Sequence, residues 1–296
     1  MKSVIHIGAN KTASTLFQRR LFAKHPAITY IGEDCASYEV LQEDLAKLVH
    51  EDDSVYDEKK MIKFFDKMQK DDKTFVFSNE DIMGTRHPTQ TAHRLKKLLP
   101  NAQVVMVIRN QMTTFPSWYV NHGSFLKPVP KSYWKKYVSF EDWLEYCFNF
   151  PYSTPLEAMN YEKYYKIFKE VFGAENIHIF LYEEFLENKI SFYEKWAKIL
   201  NISSDEISQY LDGFQERSSL SVFDFRIHKI SKFSPLLSKV AKKSLKKVLD
   251  NKNSVKIKIP KKYKKRVEDY YASGNTLLNK ELALELEQYN YPLEEK

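Results

Sequence analysis

The chain has 296 residues, enough to bury a large core, and carries 46 Lys and Arg against 39 Asp and Glu, a net charge of +7. Its two cysteines, Cys35 and Cys147, are too few and too far apart for a disulfide framework or a zinc site, and no apolar run reaches the length that crosses a bilayer. No repeat, low-complexity tract or Gly/Ser/Pro-rich linker divides it, so one domain over residues 1–296 is expected, with a basic, mostly helical segment at 227–266 inside it.

Met1-Lys2-Ser3 leads directly into the apolar strand of residues 3–7, so no signal peptide is expected, and a reducing cytoplasm suits the cysteine usage. The strand runs into Gly8-Ala9-Asn10-Lys11-Thr12-Ala13-Ser14-Thr15, after which Leu16, Phe17 and Leu21 supply the buried stripe of a helix and Arg19 and Arg20 face outward. Small residues, one lysine and hydroxyls opening a helix gather backbone N–H groups, helix-terminal potential and a point charge at one spot, which suits an anion. The nucleoside-triphosphate loop places its lysine directly after a second glycine. Here Lys11 follows Gly8 by three residues and no second glycine precedes it. The same residues also fit an ordinary strand, polar turn and capped helix.

Further strands are expected at 28–31, 74–78, 103–108 and 177–181. Between them Met61, Phe64, Phe65 and Met68 mark one amphipathic helix, and Tyr161, Tyr164, Tyr165, Phe168, Val171 and Phe172 another, closed by Gly173. This alternation predicts an α/β fold, a central parallel sheet of about four to five strands flanked by helices. Ligands of such sheets bind beyond the carboxyl ends of the strands. Glu80 follows the third strand, Arg109 the fourth and Tyr182 the fifth, and Ser117 lies eight residues after Arg109 in a segment that reads as helical despite Pro116. Glu183 and Glu184 suit a helix N-terminus. Lysines at 239, 242, 243, 246 and 247 alternate with Leu236, Leu237, Val240, Leu245, Val248 and Leu249 in a basic amphipathic helix. Its lysine face suits plain solvation, an anionic membrane or acidic substrates.

Asn10-Lys11-Thr12-Ala13-Ser14-Thr15 resembles the Pro-Lys-x-Gly-Thr-Thr loop of sulfotransferases that use 3′-phosphoadenosine 5′-phosphosulfate (PAPS), with Asn10 in place of proline and Ala13-Ser14 in place of Gly-Thr. The resemblance implies that residues Asn10 to Thr15 hold the 5′-phosphosulfate and that Lys11 offsets charge on the leaving oxygen. Arg109 and Ser117 resemble the family's grip on the ribose 3′-phosphate, although Arg109-Asn110-Gln111 stands where Arg-Asn-Pro or Arg-Asp-Pro is usual. Guanidinium suits this role because it bonds phosphate in a bidentate, charge-assisted manner. Tyr182-Glu183-Glu184-Phe185-Leu186 is similar to a late Tyr-Glu-Asp-Leu segment whose tyrosine lies against adenine, so Tyr182 is a candidate contact, or simply a half-buried aromatic. Arg217 and Ser218 match a late loop that closes over the donor, or a solvated turn. The segment from Tyr270 to Pro292 also looks like the tail of bacterial members.

Ser78-Asn79-Glu80 resembles the Ser-x-Glu segment of bacterial and glycan-directed sulfotransferases, which makes Glu80 the expected base, with Asp81 and His122 as alternatives. His6 and His87 suit a strand interior and a turn better. The implied protein is a PAPS-dependent sulfotransferase acting on a hydroxyl without a metal, its acceptor a glycan or glycolipid. That acceptor class rests on Glu80 and on the aromatic segment from Trp118 to Trp143, whose residues suit either sugar stacking or an apolar wall. The competing readings are a nucleotide-dependent kinase sharing the loop architecture and a non-catalytic polyanion-binding protein. Nucleic acid is not an expected partner.

Overall fold

The structure is a computed structural model that describes residues 2–32, 36–69, 72–121, 138–214 and 257–295. Arg217, Ser218, His122, Cys35 and the lysine-rich stretch up to residue 256 lie outside these residues. Five parallel strands form one sheet: β1 (Ser3–His6), β2 (Ile28–Gly32), β3 (Thr74–Ser78), β4 (Gln103–Ile108) and β5 (Ile177–Leu181), in the order β2-β3-β1-β4-β5. Parallel strands are covered on both faces and therefore read as continuous apolar runs, which is how these segments read in the sequence. They fall within a residue of the expected bounds.

The helices are α1 (Ser14–Leu16), α2 (Ala36–His50), α3 (Glu58–Met68), α4 (Pro88–Leu98), α5 (Gln111–Asn121), α6 (Phe140–Asn149), α7 (Pro155–Ala158), α8 (Tyr161–Phe172), α9 (Tyr182–Glu187), α10 (Lys189–Leu200) and α11 (Ser204–Leu211), followed by a late helix, Lys261–Leu282. Pleating divides the strand side chains between two cores. Ile5, Ile7, Phe75, Phe77, Val104 and Met106 face the layer of α3, α4, α5 and α8, while Val4, Val76, Val105 and Val107 face Phe17, Phe22, Phe192 and Trp196. Within the described residues, no helix is long and apolar enough to cross a membrane.

One departure from the expected helix follows α1, where Phe17–Phe22 winds as a π-turn. The wider turn puts residues five apart on one face. Phe17 and Phe22 accordingly meet at 6.0 Å between ring centroids, and both contact the fully buried Trp196.

The segment that follows β1 enters the second core, through Phe17 and Leu21. The helices after β3 and β4 enter the first, through Leu95 of α4 and Phe115 of α5. Chain therefore leaves β1 toward one face and its two neighbours toward the other, opening a crevice at their carboxyl ends, the topological switch point of this sheet.

Candidate donor site

The loop after β1 is fixed first by the sheet: Ile7 N–H donates to Val105 O at 2.9 Å and Ala9 N–H to Val107 O at 2.8 Å, so pairing with β4 continues past β1 itself. Gly8 lies between them because a Cβ there would sit 2.5 Å from His6 Nε2 and 3.0 Å from Ser14 Oγ. Beyond Ala9 the backbone alternates in hand, with Lys11 at φ +73° and Ala13 at φ +65° on either side of Thr12. Such alternation makes a concave array of N–H groups that suits an anion. The buried Thr12 Oγ1 donates to Ala9 O at 2.6 Å and lies 3.2 Å from Ser14 Oγ, closing the loop on itself. Leu16 and Phe17 N–H both donate to Ala13 O, which leaves the earlier N–H groups of the helix available to a ligand. Asn10, Lys11 and Thr15 are half-buried.

Under the loop, His6 is 1 % exposed, pairs through Nδ1 with Ser78 Oγ at 2.8 Å and is edged by Phe22 and Trp196. Gln18 Nε2 donates to the same Ser78 oxygen at 3.0 Å. Burial pushes the His6 imidazole down to about 3. It is a neutral internal prop, as its strand position suggests, and at neutral pH too weak a base to compete with a carboxylate. His87 stands at the N-cap of α4, directly before Pro88.

Arg109 leaves the end of β4 into the same crevice. Its Nη1 donates to Lys11 O at 3.0 Å, its Nε to Thr113 Oγ1 at 3.1 Å, and its Cζ lies 4.8 Å from the centroid of Tyr182. The sheet thus joins two segments 98 residues apart through one guanidinium. Ser117 is half-buried on α5, one turn after Thr113 on the same face. Thr113 was not evident as a site residue in the sequence, although its spacing from Ser117 carried the signal. Tyr182 is 7 % exposed, its ring forming a floor for Arg109.

Arg109's own backbone is held from several sides. Tyr161 OH donates to Arg109 O at 2.7 Å, Asn110 N–H donates to Glu183 Oε1 at 3.0 Å, and Asn110 Nδ2 donates to Tyr289 O and Asn290 O, both at 2.8 Å. Asn110 Oδ1 accepts Met112 N–H at 2.8 Å, starting α5 as an Asx cap. Gln111, which departs from the usual proline, exchanges amide hydrogen bonds with the buried Asn275 at 3.0 and 3.1 Å. Glu183 and Glu184 open α9, as expected, and each also bonds beyond it: Glu184 accepts Lys195 Nζ at 2.5 Å and Ser191 Oγ at 2.7 Å.

Glu80 follows β3, the other neighbour of β1, and begins a 3₁₀ turn, Glu80–Gly84, capped by Asn79 Oδ1 accepting Asp81 N–H at 2.8 Å. Glu80 is half-buried. Asp81 is 65 % exposed and lies 3.7 Å from His50 Nε2. Tyr119, Phe140 and Trp143 pack on one another within the first core, so sugar stacking is lost for these three and the apolar role holds, whereas Trp118 stays half-buried. No group of three or more metal-ligating side chains occurs among the described residues.

No protein family model matches the chain, and no curated protein matches it. Among solved structures it is similar to a sulfotransferase from Alicyclobacillus acidocaldarius, at 18% identity and a TM-score of 0.47 over 81% of this chain and 95% of that one. The α/β class stands on the parallel sheet itself.

Proposed function

We propose that the chain is a sulfotransferase that takes a sulfuryl group from PAPS and passes it to a hydroxyl. The observation that carries this reading is the junction of Arg109 with the backbone of Lys11 at the switch point, where a loop whose alternating backbone suits an anion lies beside a guanidinium. The donor set fits a nucleotide with two separate anionic ends: N–H groups, Lys11, Thr12, Ser14 and Thr15 for one, Arg109, Thr113 and Ser117 for the other. When bound, PAPS supplies the sulfuryl group and the leaving nucleotide. Lys11 offsets negative charge on the departing oxygen, the loop N–H groups orient the transferred group, and Glu80 takes the proton from the acceptor hydroxyl. Tyr182 floors the arginine in this reading, and by the family resemblance Arg217 and Ser218 would be further contacts to the donor. A saccharide is the proposed acceptor class on the Ser78-Asn79-Glu80 resemblance and Trp118, with a cytoplasmic setting.

Titration separates this reading from its rivals. Binding of 3′-phosphoadenosine 5′-phosphate without magnesium supports it. Preference for ATP with magnesium selects a kinase, and binding of neither selects a polyanion-binding protein. Within it, Glu80→Gln should abolish transfer of labelled sulfate while leaving affinity for 3′-phosphoadenosine 5′-phosphate nearly intact, since glutamine keeps the shape but accepts no proton. Substantial turnover in that variant would remove Glu80 as base and pass the role to Asp81 or His122.

A further inference from the structure

We propose that Glu183 is a positioning residue for Arg109, and that through it the segment of residues 289–292 forms part of the donor site. The inference rests on the reading of Arg109 as the 3′-phosphate ligand. Glu183 sits between two donors: Oε1 accepts Asn110 N–H at 3.0 Å and Oε2 accepts Tyr291 OH at 2.8 Å. Tyr291 is 4 % exposed and Asn110 3 %, so neither donor has water as a ready substitute. The peptide that Glu183 holds is the one directly after Arg109, whose side chain must reach both Lys11 O and a ligand.

The late segment is shaped for this contact. Asn290 turns the chain at φ +54°, its carbonyl and that of Tyr289 take the two hydrogens of Asn110 Nδ2, and Pro292 O accepts Asn275 Nδ2 at 2.9 Å. Burial pushes the Glu183 carboxyl up from the usual carboxylate range, against the Asn110 N–H, the Tyr291 hydroxyl and the nearby Arg109, which favour the charged form. A carboxylate is a costly choice for a spacer between two neutral donors. Its charge has a use behind a guanidinium that must stay oriented before an anion arrives.

The test compares the affinity of the full chain for 3′-phosphoadenosine 5′-phosphate with that for adenosine 5′-phosphate, which lacks only the phosphate Arg109 would hold. The wild type should prefer the first, and Glu183→Ala should cut that preference by about tenfold, the worth of a charge-assisted hydrogen bond, with little change for adenosine 5′-phosphate. Tyr291→Phe removes one oxygen, should cut it about threefold, and takes the place of Glu183→Ala where that variant does not fold. A merely structural role would weaken both nucleotides together. Variants that keep the wild-type ratio overturn the positioning role alone, whereas a wild type without preference overturns the PAPS reading and this inference with it.

Discussion

The two halves of the candidate donor site grip by opposite means. The loop of residues 8–15 works through its backbone: left-handed residues at 11 and 13, a glycine beneath, hydroxyls that fasten it internally. The Arg109 half would work through side chains led by one guanidinium, with Thr113 and Ser117 beside it; the peptide after Arg109 is tied by α8 and α9, and the Asn110 side chain by the segment near residue 290. A backbone cradle needs few partners and tolerates varied side chains, so Asn10 and Ala13-Ser14 can stand in for Pro and Gly-Thr. A single guanidinium must be aimed, and aiming recruits residues from the whole chain.

The sharpest way to break this contrast is to delete the two cations separately. Lys11→Ala should lower turnover by about two orders of magnitude with a smaller effect on donor affinity, and Arg109→Ala should weaken binding of 3′-phosphoadenosine 5′-phosphate by about 10- to 100-fold with turnover at saturation less affected. Steady-state kinetics together with calorimetry would check both; equal binding losses with unchanged turnover would erase the distinction.

The prop beneath the loop comes next. Because His6 titrates near 3 in the folded chain and near 6.5 when unfolded, the unfolded state binds the extra proton, so stability from this group is complete above about pH 6.5 and lost as pH falls toward about 3. Urea unfolding should show a loss of about 2 kcal/mol between pH 6.5 and 5 that His6→Asn lacks. A wild-type slope matched by the variant would place the proton uptake elsewhere.

Smaller effects probe the cradle's geometry. Gly8→Ala drives a methyl into His6, which Phe22 and Trp196 confine, and should destabilise the chain by about 1–3 kcal/mol. Ala13→Gly should do the reverse, by about 0.5–1 kcal/mol, since it relieves a left-handed alanine at the position where the resembled loop carries glycine. A loss of stability on Ala13→Gly would show that the alanine methyl contributes more than its backbone costs.

How much could be read in advance follows from the same contrast. All five strands were legible because burial on both faces leaves an unbroken apolar signature, and the loop because its residues are contiguous. The π-turn was not, since Phe17 and Phe22 fit an ordinary helix nearly as well. The supports of Arg109 were invisible, because Tyr161 lies 52 residues from the Arg109 carbonyl it holds and Asn290 180 residues from the Asn110 side chain it holds. Tyr161 read as one more aromatic of a core stripe, and Gln111 as a lapse from proline until Asn275 stood opposite it. Trp143 stayed open between two roles, since composition cannot tell a ring that faces a ligand from one closed inside a core.

The tie between Asn110 and residues 289–291 also sets an order of events during synthesis. Among the described residues the sheet's last strand ends at Leu181, so its five strands can pair while residues 289–291 are still unmade. At about 5–20 residues per second, roughly 5 to 20 s separate the two moments. For that interval a nascent chain would own five paired strands and an Arg109–Asn110 peptide held by Tyr161 and Glu183 but not yet braced by the late segment.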